Sequence, residues 1–114
     1  MTKRMTDRQY RAVVERAESD AGYAACEAMI PGVCTGAMQH WHHRKLRSQG
    51  GGHSAVNGLG LSSNCHNAIH ADPKRAYDNG WLVRGFHEPE DKPVLRRGIW
   101  VELTEEGGIV HDYK

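Results

Sequence analysis

No run of apolar residues comes near the ~18 that a membrane span requires, which excludes an integral helical membrane protein as the reading of this chain. Charge of one sign is lacking as well. Fifteen basic residues stand against fourteen acidic ones, too even a balance to argue nucleic-acid binding by itself. Cysteine is scarce, and Cys26, Cys34 and Cys65 make an odd count. The N-terminus is polar and charged, unlike a secretory signal. Together these features lead to the expectation of an intracellular protein with reduced thiols. There is no internal repeat and no low-complexity stretch.

What is present is a globular composition on 114 residues, enough for one small domain, 1–114, whose modest core would gain from a structural metal. The charge is unevenly spread. Residues 85–114 carry −3 and residues 1–84 carry +4. Between Gly36 and Arg84 lie six basic residues, two acidic ones and six of the eight histidines. That middle stretch is a local basic field suited to an anion. The acidic C-terminal part reads as a solvated edge, or as a contact for a basic partner.

Residues 1–20 should contain a helix from Thr6 to about Ser19. Thr6 and Gln9 have the spacing of a capping box, and Tyr10, Val13, Val14 and Ala17 fall on one stripe. Residues 26–36 read as a knuckle-like loop around Pro31-Gly32. A short strand is expected over 37–42, then a basic, glycine-rich loop over 44–53. Leu59 and Leu61 alternate with glycine, a weak strand signal. Ser63 or Asn64 would cap a helix carrying Cys65, His66, Ile69 and His70. Asp72-Pro73 starts another helix, stopped by Asn79-Gly80. Strands are expected at 81–83 and 99–103, with a turn at Glu106-Gly107-Gly108 before Ile109-Val110.

The histidines carry the chemistry. His42 and His43 are adjacent, His66 follows 23 residues after His43, and His70 four residues after that. On a helix, His66 and His70 lie one turn apart on one face. Neutral imidazole is the commonest side-chain metal ligand. A helical pair plus one histidine from elsewhere makes a three-ligand site with room for water and substrate. The remaining histidine is free to act as a base near neutral pH.

The order strand ending in His42-His43, long loop with Asn57, short strand, and helix with Cys65-His66-(x3)-His70 resembles the HNH endonuclease family. The segment from Cys26 through Val83 is similar to small HNH proteins of phages that infect actinobacteria. The resemblance implies an α+β fold with a ββα-metal core over 26–70, an N-terminal helix, and a helix and strands over 71–114. It implies a metal-dependent DNA endonuclease, with His43 as general base and one divalent cation (Mg, Mn, Ni, Co or Zn) held by His42, His66 and His70. In a blander reading His70 only orients its neighbours. Asn57 would hydrogen-bond across the loop and hold His43 in orientation. Arg44, Lys45 and Arg47 follow the base directly and would clamp flanking phosphates, with Lys74 and Arg75 adding to that surface.

Relatives of this kind often bind a structural zinc through two cysteine pairs. Here Cys26 and Cys34 would form one pair and Cys65 half of the other, with Ser62 where its mate is expected. His40 or a water would complete the site; otherwise the three are buried thiols. His40 is more often structural or a zinc ligand than catalytic, and His53, in a flexible glycine loop, is expected to be solvated. Trp41, Trp81 and Trp100 are expected in the core. The resemblance further implies a phage protein in the host cytoplasm, acting in DNA packaging beside the terminase large subunit and the portal protein, with a homodimer as one route to double-strand cuts. Two rival readings stand: a non-catalytic, metal-stapled module that binds DNA or protein, and a toxin-like nuclease aimed at host DNA or RNA.

Overall fold

The computed structural model describes residues 4–19 and 21–111. Residues 1–3 and 20 of the expected helical segment, and 112–114 of the C-terminal one, lie outside the described residues. Among the described residues the fold is α+β, with three α-helices and two small antiparallel sheets.

Helix α1 is Asp7–Glu18, and it begins where the capping box predicts. The Thr6 hydroxyl accepts from the Gln9 amide at 3.1 Å, and the Gln9 side chain accepts from the Thr6 amide at 2.8 Å. Two of the helix's orphan N–H groups are thereby satisfied. The buried face differs from the expected stripe. Val13 and Ala17 are buried, but Tyr10 is exposed, and the third buried residue is Arg16. Its guanidinium meets the Glu27 carboxylate at 2.7 and 2.8 Å, and Arg96 reaches the same carboxylate at 2.7 Å. A buried charge is tolerated only when paired and hydrogen-bonded. Both conditions hold here, because the Gly60 amide also donates to Glu27.

Strand β1, His40–His43, pairs antiparallel with β2, Gly58–Leu61, in the register His42 to Leu59 and His43 to Gly58. The strand expected over 37–42 thus starts later, and Ala37 makes only an isolated bridge to Ala25. The alternation of β2 has a packing cause. Leu59 and Leu61 point into the core. Gly58 and Gly60 lie under bulky neighbours: a Cβ there would stand 2.5 Å from the Trp41 ring and from the Met38 sulfur, respectively.

Helix α2, Ser63–Ala71, follows at once and packs on β1. Its N-cap is Ser62, whose hydroxyl accepts from the Cys65 amide, rather than Ser63 or Asn64. Cys65 and Ile69 face the core, so His66 and His70, one position further on, share the adjacent face. Helix α3, Pro73–Asp78, has Asp72 as cap and proline in its first turn, as expected.

Trp81, Leu82 and Val83 are buried but form no strand. Their amides are consumed elsewhere: Trp81 and Leu82 bond to the Ala76 carbonyl behind α3, and Val83 to that of Arg44. The second sheet comprises β3 Val94–Arg96, β4 Ile99–Leu103 and β5 Ile109–Val110. The two-residue turn Arg97-Gly98 has φ of 53° and 80°, the left-handed pair a tight hairpin requires. Arg97 bears that conformation while its guanidinium donates to the carbonyls of Ala17, Ala25 and Cys26. No helix among the described residues is long and apolar enough to cross a membrane.

Candidate metal centre

Strand alternation sends His40 and His42 to the α2 side of β1 and Trp41 and His43 to the other. His42 therefore meets the helical pair. Its ring centroid is 5.5 Å from His66 and 5.5 Å from His70, and those two are 4.6 Å apart. One nitrogen from each ring can be chosen so that all lie within 4.8 Å of one another, close enough to hold a metal ion.

The tautomer of His42 is set by its surroundings. Nε2 lies 2.7 Å from the Trp81 carbonyl oxygen. A carbonyl can only accept, so Nε2 carries the proton and Nδ1 keeps the lone pair. This is the usual outer partner of a metal-bound imidazole. Burial, the largest influence, pulls the His42 pKa down to about 3, against the Trp81 carbonyl and reinforced by His66, His70 and His43. Burial and the neighbouring His70 and His40 also lower His66. A neutral imidazole offers the lone pair that a cation needs. His66 is half-buried and His70 exposed, so the group opens to solvent on the helix side.

His43 stands outside the trio. It is half-buried, its ring packs at 4.7 Å on Trp41, and its Nε2 lies 3.0 Å from Nδ1 of His53. Burial, then His53 and Arg47, bring its pKa down to about 4. His53, expected to be solvated, is thus the direct partner of His43. Asn57 is buried and acts on main chain: Oδ1 accepts from the Lys45 amide at 2.7 Å, while Nδ2 donates to the carbonyls of Lys45 at 3.1 Å and Gly52 at 2.9 Å. It spans the loop from Lys45 to Gly52, and its partners are these main-chain groups and not the His43 ring.

The expected phosphate clamps divide. Arg44 is fully buried, and its guanidinium donates to the carbonyls of Gly80, Val56, Pro89, Lys92 and Pro93 at 2.8–3.4 Å. Burial lowers its pKa to about 9, leaving it charged at neutral pH. It staples loops together and has no face for a phosphate. Lys45 is also buried, with its amine 3.5 Å from Glu88. Arg47, Lys74 and Arg75 are exposed, Lys74 beside Asp78 at 3.0 Å and Arg75 over the Trp81 ring.

The cysteines form a second group. The Cys26, Cys34 and Cys65 sulfurs lie within 4.8 Å of one another, again close enough for a metal ion. Ser62 lies beside this group, its hydroxyl 3.7 Å from the Cys34 sulfur, and His40 is not one of its members. The His40 ring stacks on His66 at 4.6 Å and bonds to the Ser63 hydroxyl at 3.0 Å, on the histidine side. Burial raises the Cys65 thiol to about 11. At Cys34 burial acts the same way but is outweighed by the Gly36 amide and the Ser62 hydroxyl, so that thiol falls below its ordinary value.

Two contacts had no signature in the sequence. The Trp81 carbonyl is main chain, and nothing in the residue type marks it. His53 follows three glycines, and only their turn back toward His43 reveals it. The chain matches no protein-family model, no curated protein and no solved structure.

Proposed function

We propose that this protein is a metal-dependent DNA endonuclease built on a ββα-metal core, formed by β1, β2 and α2. The observation that carries this reading is the convergence of His42, His66 and His70 at the junction of a strand end and a helix, with His43 next to His42 in sequence and outside the group. His42 through Nδ1, His66 and His70 would hold one divalent cation. Bound there, the cation would neutralise phosphate charge and stabilise the leaving oxygen.

The chain's own residues do the rest. His43 takes a proton from water, and the resulting hydroxide attacks phosphorus. The bond from phosphorus to the 3′ oxygen breaks, and that oxygen takes up a proton from solvent, giving 5′-phosphate and 3′-hydroxyl ends. Asn57 holds the main chain that carries His43. Arg47, Lys74 and Arg75 offer charge to flanking phosphates. A zinc ion on Cys26, Cys34 and Cys65, with Ser62 or water as fourth donor, would staple the knuckle to α2. A role in phage DNA packaging beside terminase and portal proteins is part of the proposal. It is tested by co-purification with those proteins and by DNA maturation without this one.

The decisive experiment is nicking of supercoiled plasmid by metal-stripped protein with Mg, Mn, Ni, Co or Zn restored, beside His43→Ala. Metal-dependent relaxation by wild type and none by the variant is the expected result. Folded protein that cuts no DNA with any metal would instead favour the metal-stapled binding module, for which the three-cysteine group speaks. Linear duplex, single-stranded DNA and RNA as substrates separate a toxin-like nuclease from one confined to DNA.

A further inference from the structure

His53 has no part in the reaction above, yet it touches the residue that does. Nε2 of His43 and Nδ1 of His53 are 3.0 Å apart, with ring centroids 5.1 Å apart and planes inclined by 62°. Two neutral imidazoles in this arrangement share one proton: one nitrogen donates and the other accepts.

The pair is built from both sides. Asn57 ties down the chain leaving His43 through the Lys45 amide and carbonyl, and the chain entering His53 through the Gly52 carbonyl. Gly50 turns the loop with φ of 92°. Gly51 then passes so close to the Lys45 carbonyl that a Cβ would sit 1.7 Å from its oxygen. The Trp41 ring lies against both histidines, 4.7 Å from His43 and 6.5 Å from His53. A histidine on a loop tip would need none of this support.

We propose that His53 is a positioning residue for His43. It accepts the Nε2 proton, which fixes the tautomer and leaves Nδ1 as the basic nitrogen. The role rests on the reading of His43 as general base. When water gives its proton to Nδ1, the Nε2 proton stays on His43 and continues to be donated to His53. His53 neither gains nor loses a proton. Its contribution is the orientation that a third group gives a catalytic imidazole.

Two variants test it. His53→Asn keeps an acceptor oxygen where Nδ1 stood; His53→Ala keeps none. Nitrogen-15 spectra of the metal-free folded protein at pH 7.5 should show His43 protonated at Nε2 in wild type and His53→Asn, and a mixture of tautomers in His53→Ala. In plasmid nicking with Mn, His53→Ala should lose ~10–100-fold in kcat, with KM and Mn affinity kept, and His53→Asn should recover most of it. An Nδ1-protonated His43 in wild type overturns the role. So does a wild-type kcat in His53→Ala, a loss confined to KM, or an asparagine variant no better than alanine. A wild type that cuts nothing with any metal overturns the nuclease reading and this role with it. A wild type that cuts without sensing His53→Ala overturns this role alone.

Discussion

His42 donates its Nε2 proton to the main-chain oxygen of Trp81 across 2.7 Å, which leaves Nδ1 as its one lone pair. The ring is fixed before any cation arrives, and its partner comes from the segment just behind α3. The other two imidazoles of the group stand on the solvent-facing side of α2.

Metal affinity should follow that division of roles. His70→Ala removes a donor from an exposed position, so the fold should persist while Ni or Zn affinity falls by more than the ~10–100-fold typical of losing an outer partner. His40→Ala, which removes the ring stacked on His66 and bonded to the Ser63 hydroxyl, should stay at or below the low end of that range. Calorimetric titration of both variants checks the order, and equal losses would count against the trio.

Arg44 and Arg47 should behave as opposites. Arg44→Met takes the guanidinium away from five loop carbonyls, of which that of Pro89 keeps the Lys92 amide as a donor. At ~1–3 kcal/mol for each buried group left unpaired and without water, the loss should exceed about 3 kcal/mol in urea unfolding. Arg47→Ala, at an exposed position, should change stability by less than about 0.5 kcal/mol.

The same Arg47→Ala substitution should weaken DNA binding. If Arg47 neutralises one phosphate, the slope of log affinity against log salt should become shallower by about 0.9. Fluorescence anisotropy on a duplex from 50 to 200 mM salt measures it, and an unchanged slope removes Arg47 from the interface.

Glu27 should set part of the acid limit of stability. Burial alone would raise its pKa, but Arg16, Arg96 and the Gly60 amide outweigh burial and hold it below the ordinary value of 4.5. A carboxylate depressed on folding adds stability that is present above its unfolded pKa and lost as pH falls through the folded one. Wild type should therefore lose stability below about pH 4.5, and Glu27→Gln should flatten that limb. At pH 7 the variant should be destabilised by ~3–5 kcal/mol, the cost of breaking a buried ion pair. Unfolding series from pH 7 to pH 3 compare the two.

Ser62→Cys should trade one property for another. The hydroxyl caps α2, so the metal-free variant should lose ~0.5–2 kcal/mol. A fourth sulfur beside Cys26, Cys34 and Cys65 would complete a tetrahedral thiolate set, so zinc should be held more tightly and raise the melting temperature more than in wild type. Competition with a chromophoric chelator and thermal melts with and without zinc report both effects.

The elements legible beforehand are those whose signals are local. The Thr6–Gln9 box and the Asp72-Pro73 start each act within one helical turn. The i,i+4 spacing of His66 and His70 needs only a helix to become a shared face. Legibility failed where a partner is distant in sequence. Trp81-Leu82-Val83 has strand-like residues, but its amides bond to Ala76 and Arg44 instead of a neighbouring strand. Arg44 stands in a basic cluster, and only the loops that fold over it turn a surface cation into a buried staple. Ser62 reads as a missing cysteine and also proves to be the helix cap.

By itself the sequence determined the starts of α1 and α3, the alternation of β2 and the set of imidazoles on α2, because capping, pleat and helical pitch are properties of a few adjacent residues. Only the tertiary structure decided which histidine joins that set, which one leans on His53, and which cations remain in water. Each of those outcomes depends on main-chain carbonyls and loop paths that close over separations of ten to about fifty residues, where residue identity no longer specifies the neighbour.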